Sequence, residues 1–82
     1  MKLKVGDTVK VRHIGDQNWV VGRVELVSQD GKALGLTIDG PVRAGWGILA
    51  GGALPLYYLP DRDMYLGLTE DSQYELERLL VN

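Results

Sequence analysis

The residues able to carry out catalysis in this chain are few and widely separated. The 82-residue sequence contains no cysteine and a single histidine, His13. A nucleophilic triad would have to combine His13 with Ser28 or Ser72, and nothing in the spacing brings these residues together. His13 directly follows a predicted strand, where an ordinary loop residue is expected. The sequence therefore predicts that this protein is not an enzyme.

Metal and nucleotide sites are not predicted either. Asp61 and Asp63 form a carboxylate pair, but they lie in a predicted turn, Pro60–Asp63, and no third ligand is near in sequence. The segment Gly45–Ala50 matches the glycine pattern of dinucleotide sites. The chain has no room around it for the strand–helix–strand unit that this pattern requires, and no Lys-Ser/Thr pair makes it a phosphate loop. We therefore expect no metal and no cofactor.

The remaining candidates are aromatic and charged side chains on the outer surface of predicted strands. Trp19 falls by parity on the same strand face as Arg23 and Glu25, so it is predicted to point outward. Exposed aromatic and arginine side chains are frequent anchors of protein interfaces. The predicted partner-binding residues are Trp19, Val21, Arg23, Asp39, Tyr57, Tyr65, Lys10 and Arg12.

Length and charge narrow the class of protein. A chain of this size forms one domain, 1–82, with a small core that needs close packing or self-association for stability. No apolar run approaches the ~20 residues of a spanning helix, and no signal segment is recognised, so a cytoplasmic protein is expected. The net charge is −2, divided into +2 over residues 1–43 and −4 over residues 44–82. Nucleic-acid binders usually carry a much stronger basic excess, so neither nucleic acid nor a membrane is expected as a partner.

The positions of the candidate residues depend on strands predicted in the first half of the chain. Apolar residues recur at every second position of the first strand and of the second, 19–27, as in strands with one buried face. A turn or bulge is predicted at Gly6-Asp7. The residues predicted to face the core are Leu3, Val5, Val9, Val11, Val20, Gly22, Val24 and Leu26.

The hairpin that follows has two candidate registers. A two-residue loop at Asp30-Gly31 would place the charged Glu25 beside the core residue Leu36. A three-residue loop keeps apolar residues together, and because the buried face sets the register, this loop is predicted, with Gly31 left-handed beside a bulge. The pairs predicted by the longer loop are Leu26–Leu34, Val24–Leu36, Gly22–Ile38, Val21–Asp39 and Arg23–Thr37.

The second half is predicted to complete a barrel. After the glycine-rich segment 41–53, in which Trp46 is predicted to fill the core, a second hairpin turns at Pro60–Asp63. In one register of this hairpin, the inward residues are Leu54, Leu56, Tyr58, Leu66 and Leu68, and the outward residues are Tyr57, Leu59 and Tyr65. The tail, 69–82, fits either a strand that closes the barrel edge, which we favour, or a short helix capped at Thr69–Ser72.

Five or six short strands separated by tight glycine turns indicate an all-β fold, a small antiparallel barrel. The front half resembles the Src-homology-3-like barrels, especially the Tudor and KOW types, through Val5–Val11, Trp19–Val24, Asp30–Gly31 and Ile38–Gly40. The Tudor resemblance implies that Trp19, an aromatic residue of the second hairpin and Asp39 form a cage for a methylated cation. The KOW resemblance implies contacts with RNA or polymerase, and the net acidity argues against RNA.

Two functions fit these features. The first is a binding or adaptor module whose outward aromatic and basic face contacts a protein or peptide. The second is a self-associating structural or accessory protein, in which the same face is a homo-oligomer interface and any small-molecule site forms only at the oligomer axis. The sequence does not separate the two, because both require the same side chains.

Overall fold

Every regular element in the described part of the chain is a β-strand. The computed structural model describes residues 2–45, 47–69 and 72–79. The strands are β1 (Thr8–His13), β2 (Val20–Val27), β3 (Ala33–Ile38), β4 (Val42–Ala44), β5 (Gly47–Leu49), β6 (Gly52–Leu59), β7 (Met64–Leu66) and β8 (Gln73–Arg78). The all-β fold class predicted from the sequence is confirmed.

Six of these strands form a closed antiparallel barrel in the order β1-β2-β3-β6-β7-β8. The last strand, Gln73–Arg78, closes it by pairing with β7 on one side and with β1 on the other. The predicted strand in the tail is therefore confirmed, and the alternative of a helix is wrong for this segment. A strand is favoured here because it satisfies the exposed edge of β1. Other parts of the tail prediction, at Glu70, Asp71 and Leu80, lie outside the described residues.

The alternation predicted for the first two strands is confirmed where the strands are regular. Val9, Val11 and Val24 are completely buried in the core. Val5, predicted to point inward, is instead exposed. The reason is the turn at Gly6, whose positive φ of 96° resets the alternation before β1 begins.

The β2–β3 hairpin combines the two registers considered from the sequence. The predicted pairs Gly22–Ile38, Arg23–Thr37 and Val24–Leu36 are confirmed, and Gly31 has the predicted positive φ, 79°. A bulge with one extra residue between Val24 and Leu26 then shifts the register. Leu26 therefore lies opposite Gly35 and is 71% exposed, so its predicted place in the core is wrong.

The β6–β7 hairpin corrects the prediction for Tyr65. This residue pairs directly with the inward Tyr58 and is only 4% exposed, so its predicted outward orientation is wrong. Leu66 lies opposite the exposed Tyr57, and Leu68 is exposed, although both were predicted to face the core. The physical reason is a difference of one residue in the loop, which moves every following side chain to the opposite face.

The β4–β5 hairpin is a separate two-stranded sheet that packs against the barrel. Val42 and Ala44 are buried, and Val42 belongs to the same core cluster as the barrel strands. The hydroxyl of Tyr74 on β8 donates a hydrogen bond to the carbonyl oxygen of Arg43 at 2.8 Å. This hairpin is thus fixed to the barrel by apolar contact and by one polar link. Trp46, predicted to fill the core, lies outside the described residues.

Candidate functional site

The eight predicted partner-binding residues do not form one surface. Val21, Arg23 and Asp39 line a groove, and Lys10, Arg12 and Trp19 form a charged stack beside it. Tyr57 lies on a second outer face, and Tyr65 lies in the core. The division follows from strand geometry, since only residues of one parity on neighbouring strands share a face.

The charged stack is formed by Trp19 and the two cations that cover its ring. The Nζ atom of Lys10 lies 4.8 Å and the Cζ atom of Arg12 lies 4.4 Å from the ring centroid. Each cation also has a carboxylate partner on β8, Lys10 with Glu77 at 3.1 Å and Arg12 with Glu75 at 2.9 Å. The Trp19 ring and both basic groups are therefore already engaged within the molecule.

The groove lies beside this stack, on the outer face of β1, β2 and β3. It has a volume of about 320 Å³ and is lined by Thr8, Val21, Gly22, Arg23, Glu25, Thr37 and Asp39. The amide of Asp39 donates a hydrogen bond to the carbonyl oxygen of Val21 at 3.0 Å, so these two residues lie opposite each other, as predicted. Arg23 lies opposite Thr37, also as predicted. Paired strands therefore hold Val21, Arg23 and Asp39 in fixed positions.

The charges in the groove are weakly compensated. The Nε atom of Arg23 lies 3.8 Å from Oε1 of Glu25, and both side chains are well exposed, so this ion pair contributes little. Asp39 forms no ion pair with any residue that the structure describes. Val21, next to both in the sheet, is 44% exposed. The groove thus offers a cation, an anion and an apolar side chain to another molecule.

The His13 side chain is engaged in packing and in a hydrogen bond within the barrel. Its ring packs edge-on against Tyr74, with centroids 5.3 Å apart, and Nδ1 lies 2.9 Å from the carbonyl oxygen of Ile14. No group of three or more His, Cys, Asp or Glu side chains within residues 2–45, 47–69 and 72–79 is arranged to hold a metal ion.

A second concave surface lies between the β1–β2 loop and the β4–β5 hairpin. It measures about 290 Å³ and is lined by Asp16, Gln17, Asn18, Pro41, Val42, Arg43 and Ile48. Arg43 and Asp16 form an ion pair at 3.2 Å, so the two principal charges of this surface compensate each other. The groove on β1–β3 is the stronger candidate because its charges are less compensated.

Sequence reasoning missed an uncharged outer face on β3, β6 and β7. Tyr57 is central to it, opposite Ala33 on one side and Leu66 on the other. The signal was present in 53–59, where residues of both parities are apolar, a pattern typical of strands covered on both faces. Only Tyr57 of this face was among the predicted binding residues.

Within the described residues, no helix is long and apolar enough to cross a membrane. Comparisons of this chain with protein-family models, with curated proteins and with solved structures find no match.

Proposed function

We propose that this protein is a non-enzymatic binding module that contacts a protein or peptide through the groove on β1–β3. The observation that carries the proposal is the grouping of Val21, Arg23 and Asp39 in one groove, where both charges are open to an external partner. Three residues selected from the sequence for this role thus lie together. A cytoplasmic location is part of the proposal.

The chemistry of the groove suggests the kind of segment that it binds. An extended segment with one acidic and one basic side chain would pair with Arg23 and Asp39, and a small apolar side chain would contact Val21. Charge pairs of this type favour correct orientation and exclude partners with like charge. We therefore propose a short partner segment of mixed charge.

The proposal retains the small-barrel resemblance to Tudor and KOW modules and departs from their ligands. A cage for a methylated cation would need the Trp19 ring, which Lys10 and Arg12 already cover. An RNA strand would meet the carboxylates of Glu25 and Asp39 in the groove. A polypeptide of mixed charge has neither difficulty.

Selection of random peptides displayed on phage tests this proposal directly. The immobilised protein should enrich sequences in which an acidic and a basic residue are close together. Synthetic peptides of the enriched sequences should bind in fluorescence anisotropy, and Arg23→Glu or Asp39→Lys should each weaken binding by about tenfold, the effect of one lost charged contact.

Matched charge reversals outside the groove provide the control. Lys32→Glu and Asp61→Lys change the net charge by the same amounts and should leave peptide affinity unchanged. In nuclear magnetic resonance titrations, the amides of Val21, Arg23 and Asp39 should shift most. The proposal would be contradicted if the library yields no enriched sequences. It would also be contradicted if the enriched peptides bind both groove variants as tightly as the wild type.

A further inference from the structure

The outer face of β3, β6 and β7 is continuous and carries no charge. Its members are small or apolar residues that alternate with core residues along these strands, namely Ala33, Gly35, Thr37, Ala53, Pro55, Tyr57, Leu59, Met64 and Leu66. Tyr57 is 47% exposed at its centre. Outer positions of a barrel wall that faces water are usually polar, so this face has the composition of a covered surface.

Leu26 extends this face onto β2. A Cβ atom at Gly35 would lie 3.3 Å from the Cβ atom of Leu26, so the leucine side chain lies over the glycine on the outer surface. The bulge before Leu26 turns this side chain outward instead of into the core. The face has ten outward residues with Leu26 included, and at about 32 Å² of sheet for each it covers roughly 300 Å² in plan, which is within the range of the largest apolar patches on monomers, patches that are often functional.

A proline lies on the strand edge next to this face. The amide of Tyr58 donates a hydrogen bond to the carbonyl oxygen of Lys32, so the even-numbered residues of β6 direct their backbone groups toward β3. The odd-numbered residues, Pro55 among them, direct theirs toward the opposite edge of β6. β7 does not pair with β6 at Pro55, and the proline there has no N–H to donate. Strand addition at this edge is therefore disfavoured, and packing on the side chains of the face is the better way to cover it.

We propose that a second copy of this chain covers this face in a symmetric dimer. Each copy carries a net charge of −2, and other parts of the barrel wall bear charges such as Glu75, Glu77 and Arg23. Two copies that meet through an uncharged face bring no like charges into contact. The relief of the face is self-complementary, because the prominent Tyr57 lies beside the small residues Ala33 and Pro55, which can receive the tyrosine of the other copy.

The dimer is expected to be weak. Specific, stable interfaces bury about 600 to 1,000 Å² of accessible surface on each partner, and this footprint is below that class, in the range of weak and transient contacts. We expect a dissociation constant in the micromolar range, so that monomer and dimer are both populated at ordinary working concentrations. The interface adjoins the proposed peptide groove at Thr37, which lies opposite Arg23, but its centre at Tyr57 is on β6, which contributes no residue to the groove.

Sedimentation equilibrium of the intact protein, from low micromolar to millimolar concentration, tests the dimer. The wild type should fit a monomer–dimer equilibrium, and Tyr57→Lys and Ala33→Glu should each raise the dissociation constant by at least about tenfold, since each buries a charge in the interface. The control, Ile48→Lys, changes an exposed apolar residue on the β4–β5 hairpin and should behave as the wild type.

Salt distinguishes this interface from one built on the charged stack. Apolar contact should hold or tighten as sodium chloride is added, whereas contacts made through Lys10 and Arg12 should weaken. Circular dichroism checks that each variant remains folded. If Tyr57→Lys does not fold, the dissociation constant of Ala33→Glu provides the test. A wild type that stays monomeric at millimolar concentration overturns the proposal, as does a dimer insensitive to both variants. Tyr57→Lys should leave the affinity for a groove peptide unchanged, because Tyr57 does not line the groove, and this separates the two results.

Discussion

At the scale of single residues, Trp19 shows how a partly buried aromatic residue on the outer surface can stabilise the fold. Its ring is covered by Lys10 and Arg12, and these cations are held in place by Glu77 and Glu75. A cation from solution would have to displace groups that are already paired. The stack connects β8, β1 and the residue before β2, so we expect its main contribution to be to stability.

A double-mutant cycle on Trp19 and Arg12 measures that contribution. Trp19→Ala should lower the free energy of unfolding by about 1–2 kcal/mol, through lost apolar contact and lost cation–π attraction. The coupling between Trp19→Ala and Arg12→Ala should be about 0.5–1 kcal/mol in urea denaturation. Arg23→Ala, an exposed arginine in the groove, should show no coupling with Trp19→Ala. Strict additivity for Arg12 would show that the stack is not an energetic unit.

At the scale of elements, the connection between β7 and β8 depends on close approach at Gly67. A Cβ atom there would lie 2.8 Å from Cε2 of Tyr74 and 3.0 Å from Cβ of Ser72. Both neighbours are completely buried, so neither has space to move away. The absence of a side chain at this position lets β8 reach its place beside β7.

Gly67→Ala should therefore destabilise the barrel through steric overlap. We expect a loss of roughly 2 kcal/mol in the free energy of unfolding, as for other overpacked core positions. Gly40→Ala is the matched control, because its nearest neighbour would lie at 3.6 Å, and its effect should stay within about 0.5 kcal/mol. Urea denaturation measures both changes. Equal stabilities for the two variants would mean that β8 adjusts freely.

The sequence predicted the first three strands well because one-sided burial imposes a local pattern with a period of two. It failed where a single residue changed the parity, at the bulge before Leu26 and in the loop before Tyr65. Within the candidate site, shared strand faces were sufficient to group Arg23 with Asp39. The pairing of Arg12 with Glu75 spans 63 positions along the chain, and a local pattern carries no information on such a contact.

On the scale of the whole molecule, the uneven charge of the sequence corresponds to charged and uncharged regions of the barrel surface. The basic first strand and the acidic last strand lie side by side and form two ion pairs. The wall made by β3, β6 and β7 carries no charge. A dimer formed through that wall would leave the part of the groove on β1 and β2 accessible in each copy. Two grooves in one particle would raise the apparent affinity for a partner with repeated segments.

The core of the whole barrel contains two buried phenols, Tyr65 and Tyr74, and we expect their ionisation to lower its stability at alkaline pH. Burial raises the pKa of Tyr65 above its ordinary value of 10.0, and burial also raises the pKa of Tyr74, against a lowering by its hydrogen bond with Ser72. Both groups are neutral in the native and unfolded states at neutral pH. Above pH 10 the unfolded chain loses these protons first, so ionisation favours unfolding.

The free energy of unfolding should therefore be insensitive to these groups below pH 10 and should fall as the pH rises through their native pKa values. Urea denaturation at a series of pH values measures this slope. Tyr74→Phe should lower stability at neutral pH by about 1 kcal/mol, through the lost hydrogen bond to Arg43, and should make the alkaline slope shallower by up to one proton. The phenolate absorbance that Tyr65 and Tyr74 contribute should appear together with unfolding, whereas the exposed Tyr57 does not need unfolding to ionise. A Tyr74→Phe variant that keeps the wild-type slope would show that Tyr74 ionises equally well in the folded barrel, and that its burial does not limit stability at high pH.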